Sequence, residues 1–214
     1  MMRVTGIAAV SCLLLAGGST ALAQDVRLTE GRADASFTLN DTSYTIARSQ
    51  DPASRLPDSY ALTARPCPPA CIQPARAAPG VETLAELEVI GFLQDRVSAG
   101  TGLVIDARMP PAYTAAAIPG AVNVPTTTVS ADNPYRADIL RALGAEADDG
   151  AALDFSTALD LVIYGEGPWN PEAAQMVRNL LGAGYPADKL RFYRGGMQGW
   201  LSLGLTTVQP QTPG

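Results

Sequence analysis

The stretch Leu161-Val162-Ile163-Tyr164-Gly165-Glu166-Gly167-Pro168-Trp169-Asn170-Pro171-Glu172 decides the fold. Its first four residues are apolar, and two of them are β-branched, which reads as a short strand buried on both faces. Gly165, Gly167 and Pro168 then place a loop directly after that strand. Asn170 is a good helix N-cap and Pro171 suits the first helical position, so a helix is predicted from Pro171 to Leu181.

The same pattern recurs on both sides. Leu103-Val104-Ile105 is a second strand of this kind, running into Asp106-Ala107-Arg108, and Leu190-Arg191-Phe192-Tyr193 is a third. Apolar residues at helical spacing predict helices from Thr83, as N-cap, to Leu93, from Pro134 to Leu143 and from Gly196 to Leu203. Continuous apolar strands alternating with helices indicate an α/β fold with a parallel sheet covered on both faces. Nearer the N-terminus, Ser36 to Asn40 and Tyr44 to Arg48 alternate apolar and polar residues around Asn40-Asp41-Thr42, which predicts a β-hairpin. Residues 49–80 are rich in proline and small residues and read as an ordered loop or linker.

Of the 214 residues, 47% are hydrophobic and 17% charged, as in an ordinary globular protein. With 15 basic and 21 acidic residues the net charge is −6, which gives no electrostatic footprint for nucleic acid. The chain has no histidine. That excludes Ser-His-Asp triads, Cys-His pairs and histidine metal sites. No cofactor, nucleotide or metal signature is present, and none of these is expected.

Residues 1–23 have the three parts of a secretory signal peptide. Arg3 supplies the positive start, Ile7 to Ala16 the apolar stretch, and Ala21-Leu22-Ala23 a small-x-small cleavage site before Gln24. The apolar run is too short to span a bilayer comfortably, and no later stretch has that length. A periplasmic or secreted location is therefore expected, with no membrane span after signal removal. Cys12 leaves with the signal, and Cys67 and Cys71 remain. An even pair in an exported protein suggests a disulfide. Two readings stay open for it, a small clasp on an irregular segment or a redox or sulfur-handling pair. Two thiolates without histidine make an incomplete zinc site.

Three separated segments resemble the rhodanese-like domain family. Leu103 to Arg108 followed by Ala117-Ile118-Pro119-Gly120-Ala121-Val122-Asn123-Val124-Pro125 is similar to the first half of such a domain. Leu161 to Asn170 falls where rhodaneses carry the active-site loop, and Tyr193-Arg194-Gly195-Gly196-Met197-Gln198-Gly199-Trp200 resembles the closing element. The resemblance covers residues 81–208 and implies a parallel sheet of about five strands flanked by helices. It leaves a signal peptide (1–23), an N-terminal extension (24–80) with the hairpin and the Cys67/Cys71 loop, and a tail (209–214).

In rhodaneses a loop cysteine carries sulfane sulfur as a persulfide, and it must be a thiolate to attack. Here Gly165 stands where the resemblance places that nucleophile, and the loop Gly165, Glu166, Gly167, Pro168, Trp169, Asn170 holds no thiol or hydroxyl. Glu166 opposes an anionic donor by like-charge repulsion, or itself occupies the N–H groups of the cradle. Trp169 either anchors a partner or packs under the loop. Asp106 and Arg108 read as a charged pair that braces the loop after their strand.

The leading expectation is a non-catalytic binding or accessory module, leaning away from an enzyme, whose partner is a periplasmic protein or a small anion. The alternative is a sulfur-transfer or thiol–disulfide enzyme using Cys67 and Cys71. It requires the proline-rich segment to fold back over the Gly165 loop. A purely structural subunit is the third reading.

Overall fold

The computed structural model describes residues 25–67, 70–72, 75–146 and 153–211. The predicted signal peptide and the last residues of the tail lie outside the described residues. In chain order the elements are β1 (Asp34–Leu39), β2 (Thr42–Ala47), α1 (Asp58–Ala61), β3 (Glu82–Leu84), α2 (Glu86–Phe92), β4 (Gly102–Asp106), α3 (Pro110–Ala115), β5 (Val122–Asn123), α4 (Arg136–Ala142), β6 (Asp160–Tyr164), α5 (Glu172–Gly182), β7 (Leu190–Tyr193) and α6 (Gly196–Ser202).

The three apolar runs are β4, β6 and β7, the middle of a five-stranded parallel sheet with the order β3-β7-β6-β4-β5. Successive side chains of a strand point to opposite faces, so a strand covered on both sides is a near-continuous apolar run. Leu161 and Ile163 of β6 join the core that also holds Met176, Val177 and Leu180 of α5. Val162 and Tyr164 join the other core, with Val89 and Ile90 of α2 and Trp200 of α6. The β1–β2 hairpin packs into that second core through Ala35, Phe37 and Ile46. Its turn is the dipeptide Asn40-Asp41, both residues at positive φ (48° and 61°), the geometry that a two-residue hairpin turn demands.

Two predictions are corrected. Thr83 does not cap a helix. Glu82–Leu84 is β3, paired in parallel with Arg191 to Tyr193, and the helix starts at Glu86. Its first turn is closed by the Glu88 carboxylate, which accepts the Ala85 N–H at 3.1 Å. The linker 49–80 is not wholly irregular, because it contains the one-turn helix α1.

This topology fixes the site. Strand β4 is followed on one side by β5 and on the other by β6, so the chain reverses its direction of travel across the sheet between β4 and β6. Open parallel sheets form their crevice beyond the carboxyl ends of strands at such a point. Asp106-Ala107-Arg108 leaves β4 there, the Gly165 loop leaves β6, and Arg194 follows β7 on the far side.

Candidate functional site

The loop is held by the closing helix. Gly165 C=O accepts the Met197 N–H at 3.0 Å and Glu166 C=O accepts the Gln198 N–H at 2.9 Å. Such close approach requires glycine at position 196, where φ is +56° and a Cβ would lie 2.5 Å from the Gly165 oxygen. At its other end the loop passes into α5. Asn170 Oδ1 accepts the Glu172 N–H at 2.8 Å, the capping bond expected of that asparagine.

Beside the loop lies a buried polar chain. Asp106 and Arg108 are 0% and 1% exposed, the buried charged residues of the core. Arg108 Nη2 donates to Asp106 Oδ2 at 2.7 Å and to Ala116 C=O at 2.6 Å, while Nε donates to Asp106 Oδ1 at 2.9 Å. Asp106 also accepts the Tyr164 O–H at 2.6 Å, and the Tyr164 oxygen in turn accepts the Ile118 N–H at 3.2 Å. Arg108 Nη1 donates to the Tyr60 hydroxyl at 3.2 Å and lies 3.6 Å from Glu166 Oε2. The Tyr60 hydroxyl itself donates to Glu166 Oε2. The chain thus runs from β4 through Arg108 to the N-terminal extension and ends on the loop carboxylate. Glu166 does not turn onto the backbone N–H groups of its own loop; its partners are Tyr60 and Arg108.

Burial opposes the Arg108 charge, but the hydrogen bonds and negative charge of Asp106 outweigh it and raise its pKa above the usual guanidinium value. Burial, then the hydrogen bond to Glu166, raises the Tyr60 phenol, so it stays protonated as a donor. Glu172 in the first turn of α5 is also raised, first by burial and then by the charges of Glu166 and Asp106. Its Oε2 is buried with no hydrogen-bond partner.

The proline-rich extension folds back over this loop. Gln198 Nε2 donates to the carbonyls of Tyr60 (2.7 Å) and Leu62 (3.3 Å), and the Arg65 guanidinium lies 3.5 Å over the Trp169 ring. Trp169 is therefore neither free nor fully packed. It is half-buried under Arg65, and its indole N–H is buried without an acceptor. Cys67 and Cys71 form a disulfide in this strap. Cys67 is exposed, whereas Cys71 is half-buried and lines a cavity with the loop residues Gly167 to Pro171.

Gly165 itself is buried, with space at its Cα: an added Cβ would meet Ala173 Cβ at 3.4 Å, ordinary contact. The loop presents no thiol or hydroxyl for covalent chemistry. Among the described residues, no three of His, Cys, Asp and Glu are grouped to hold a metal ion. Tyr60, Arg65, Gln198 and Glu172 were not singled out by the sequence. Only Gln198 and Glu172, inside or beside the quoted motifs, gave any signal.

A single α/β domain with an open parallel sheet and a helix-capped loop at the carboxyl end of its central strand defines the class. The family model for the rhodanese-like domain matches residues 91–203, just over half of the chain, and the chain belongs to that family. No curated protein matches it in sequence. Similar solved structures include a Rhodanese_3 like domain from Anabaena sp. (23% identity, 50% of this chain and 97% of that one, TM-score 0.35). Others are a thiosulfate sulfurtransferase from Pseudomonas aeruginosa (21%, 62% and 21%, 0.40) and a human single domain sulfurtransferase (21%, 58% and 97%, 0.39).

Proposed function

We infer that this chain is an exported rhodanese-like binding module whose loop carries out no thiosulfate sulfur transfer. One observation carries the reading: Gly165 heads the loop, and the neighbouring Arg108 is committed to Asp106, Ala116 and Tyr60. The loop has no sulfur atom on which a persulfide could form, and an anionic donor meets Glu166 instead of a free cation. The signal-like residues 1–23 and the Cys67–Cys71 disulfide support export to an oxidising compartment. The test incubates the purified protein with thiosulfate and cyanide. No thiocyanate above the blank is expected, and turnover would overturn the reading. Fractionation of expressing cells, with N-terminal sequencing, is expected to find Gln24 as the first residue outside the cytoplasm.

A second reading is favoured by the placement of Cys71 in the cavity wall beside the loop, with Cys67 exposed. An incoming thiolate or persulfide attacks one sulfur, a new S–S bond forms, and the other cysteine leaves as a thiolate. Intact mass after treatment with a persulfide donor and alkylation separates the two. An adduct on Cys67 or Cys71 supports the enzyme, and an unchanged internal disulfide supports the binding module.

A further inference from the structure

The cavity that contains Cys71 lies on the β7 side of the loop, and Gly165, Asp106 and Arg108 do not line it. It encloses about 350 Å³, at the small end of ligand sites. Three arginines from three distant parts of the chain meet at it: Arg76 from the strap, Arg178 on α5 and Arg194 after β7. Of the thirteen arginines among the described residues, Arg27, Arg96, Arg108, Arg141 and Arg191 form ion pairs, and the other eight, these three included, do not. Among the described residues these three pair with no carboxylate, and no carboxylate lines the cavity. In a chain of net charge −6, three unneutralised guanidinium groups around one hollow run against the field of the whole protein. Trp169, with Arg65 over one face of its ring, and Phe192, 7% exposed, also line the wall. Guanidinium groups favour planar, bidentate recognition of oxyanions, and flat rings take flat apolar bodies.

We propose that this cavity binds a small organic anion, an oxyanion headgroup on a flat apolar body. The proposal rests on the binding-module reading and gives its ligand a chemical class. The arginines take the headgroup, and the half-buried Trp169 takes the body, with the exposed part of Phe192 beside it. All three arginines are exposed, so each contributes as a screened surface charge and binding falls with salt.

The test titrates the intact protein with sodium benzenesulfonate by calorimetry and by Trp fluorescence. Trp200 is fully buried, so a fluorescence change reports Trp169. Benzenesulfonate is expected to bind, benzyl alcohol not to bind at the same concentration, and sulfate to bind at least tenfold more weakly. Arg178→Gln and Arg194→Gln are each expected to weaken binding by about two- to fivefold, the range of an exposed charge contact. The triple variant with Arg76→Gln is expected to weaken it by about tenfold or more, with an unchanged circular dichroism spectrum. Binding that survives in a folded triple variant, or no binding of benzenesulfonate by the wild type, overturns the site. Equal affinity for sulfate overturns the role of the aromatic wall. Thiocyanate formation by the wild type overturns the binding-module reading and leaves the arginine dependence intact, so the two failures are distinguishable.

Discussion

Replacing Arg108 with methionine keeps most of the side-chain volume and removes the charge. In the native chain the Asp106 carboxylate is fully buried and receives Arg108 Nε and Nη2, the Arg108 backbone N–H at 3.0 Å and the Tyr164 hydroxyl. Without the guanidinium it keeps the last two donors and no opposite charge. Ala116 C=O and the Tyr60 hydroxyl each lose a donor as well. Breaking one partner of a buried pair costs about 3–5 kcal/mol, because the remaining charge stays dry and uncompensated. For a domain of this length that lowers Tm by roughly 6–20 °C. Thermal and urea unfolding followed by circular dichroism reads the loss. Adding Asp106→Asn removes the stranded charge, so the double variant is expected to be more stable than Arg108→Met alone. A loss under about 1 kcal/mol for Arg108→Met, the size of an exposed pair, would refute the view that this network is dry and holds the loop.

Three further outcomes are expected. Gly196→Ala puts a Cβ on the Gly165 oxygen at a φ of +56°; the backbone conformation alone costs about 1–2 kcal/mol, and displacement of the loop adds to it, read as a lower Tm and altered Trp169 fluorescence. Glu172 has its pKa raised by burial, so the folded chain holds that proton more tightly than the unfolded chain. Stability is then lost as pH rises from the ordinary glutamate value through the folded one. Glu172→Gln is expected to be more stable than the wild type at pH 8 and to lose that advantage at pH 3; an advantage that does not change with pH would contradict this. Reducing Cys67–Cys71 opens a short ring, for which chain entropy gives about 2 kcal/mol, so Tm is expected to fall by only a few degrees; a collapse of the fold on reduction would show that the strap carries more than its own ordering.

The sequence was most legible where one local rule had no competitor. The runs at β4, β6 and β7 are apolar at nearly every inner position, Arg191 excepted, because both faces of the sheet are covered, and they read directly as strands. The loop was placed by the strand before it and the Asn170-Pro171 helix start after it. Strand β3 was hidden because its three residues run straight into a helix, so Leu84 fell into the helical period of Leu87 and Ile90. Tyr60 reaches Glu166 across a separation of 106 residues, and nothing in a proline-rich segment indicates which part of the sheet it will cover. The arginine cavity was equally silent. Positions 76, 178 and 194 become neighbours only when the strap, α5 and the end of β7 meet.

The commitment of Arg108 to the chain's own groups bears on where an anion would be accepted. Its guanidinium has five N–H groups. Four of them are taken: Nε and one Nη2 donor serve Asp106, the other Nη2 donor serves Ala116, and one Nη1 donor serves Tyr60, while the second Nη1 donor faces the Glu166 carboxylate at 3.6 Å. An anion arriving on the β4 side finds one Nη1 donor outside these bonds, already 3.6 Å from Glu166, and it approaches two carboxylates as it does so. On the β7 side the balance reverses, with three guanidinium groups that carry no carboxylate partner among the described residues and an aromatic wall beside them. The same loop backbone separates the two sides. A side chain on Gly165 would stand apart from the cavity, whereas the strap that brings Tyr60 to Glu166 also brings Cys71 and Arg76 to the cavity wall. Closure of one side and construction of the other therefore draw on the same extension, through Tyr60 at Glu166 and through Cys71 and Arg76 at the cavity wall.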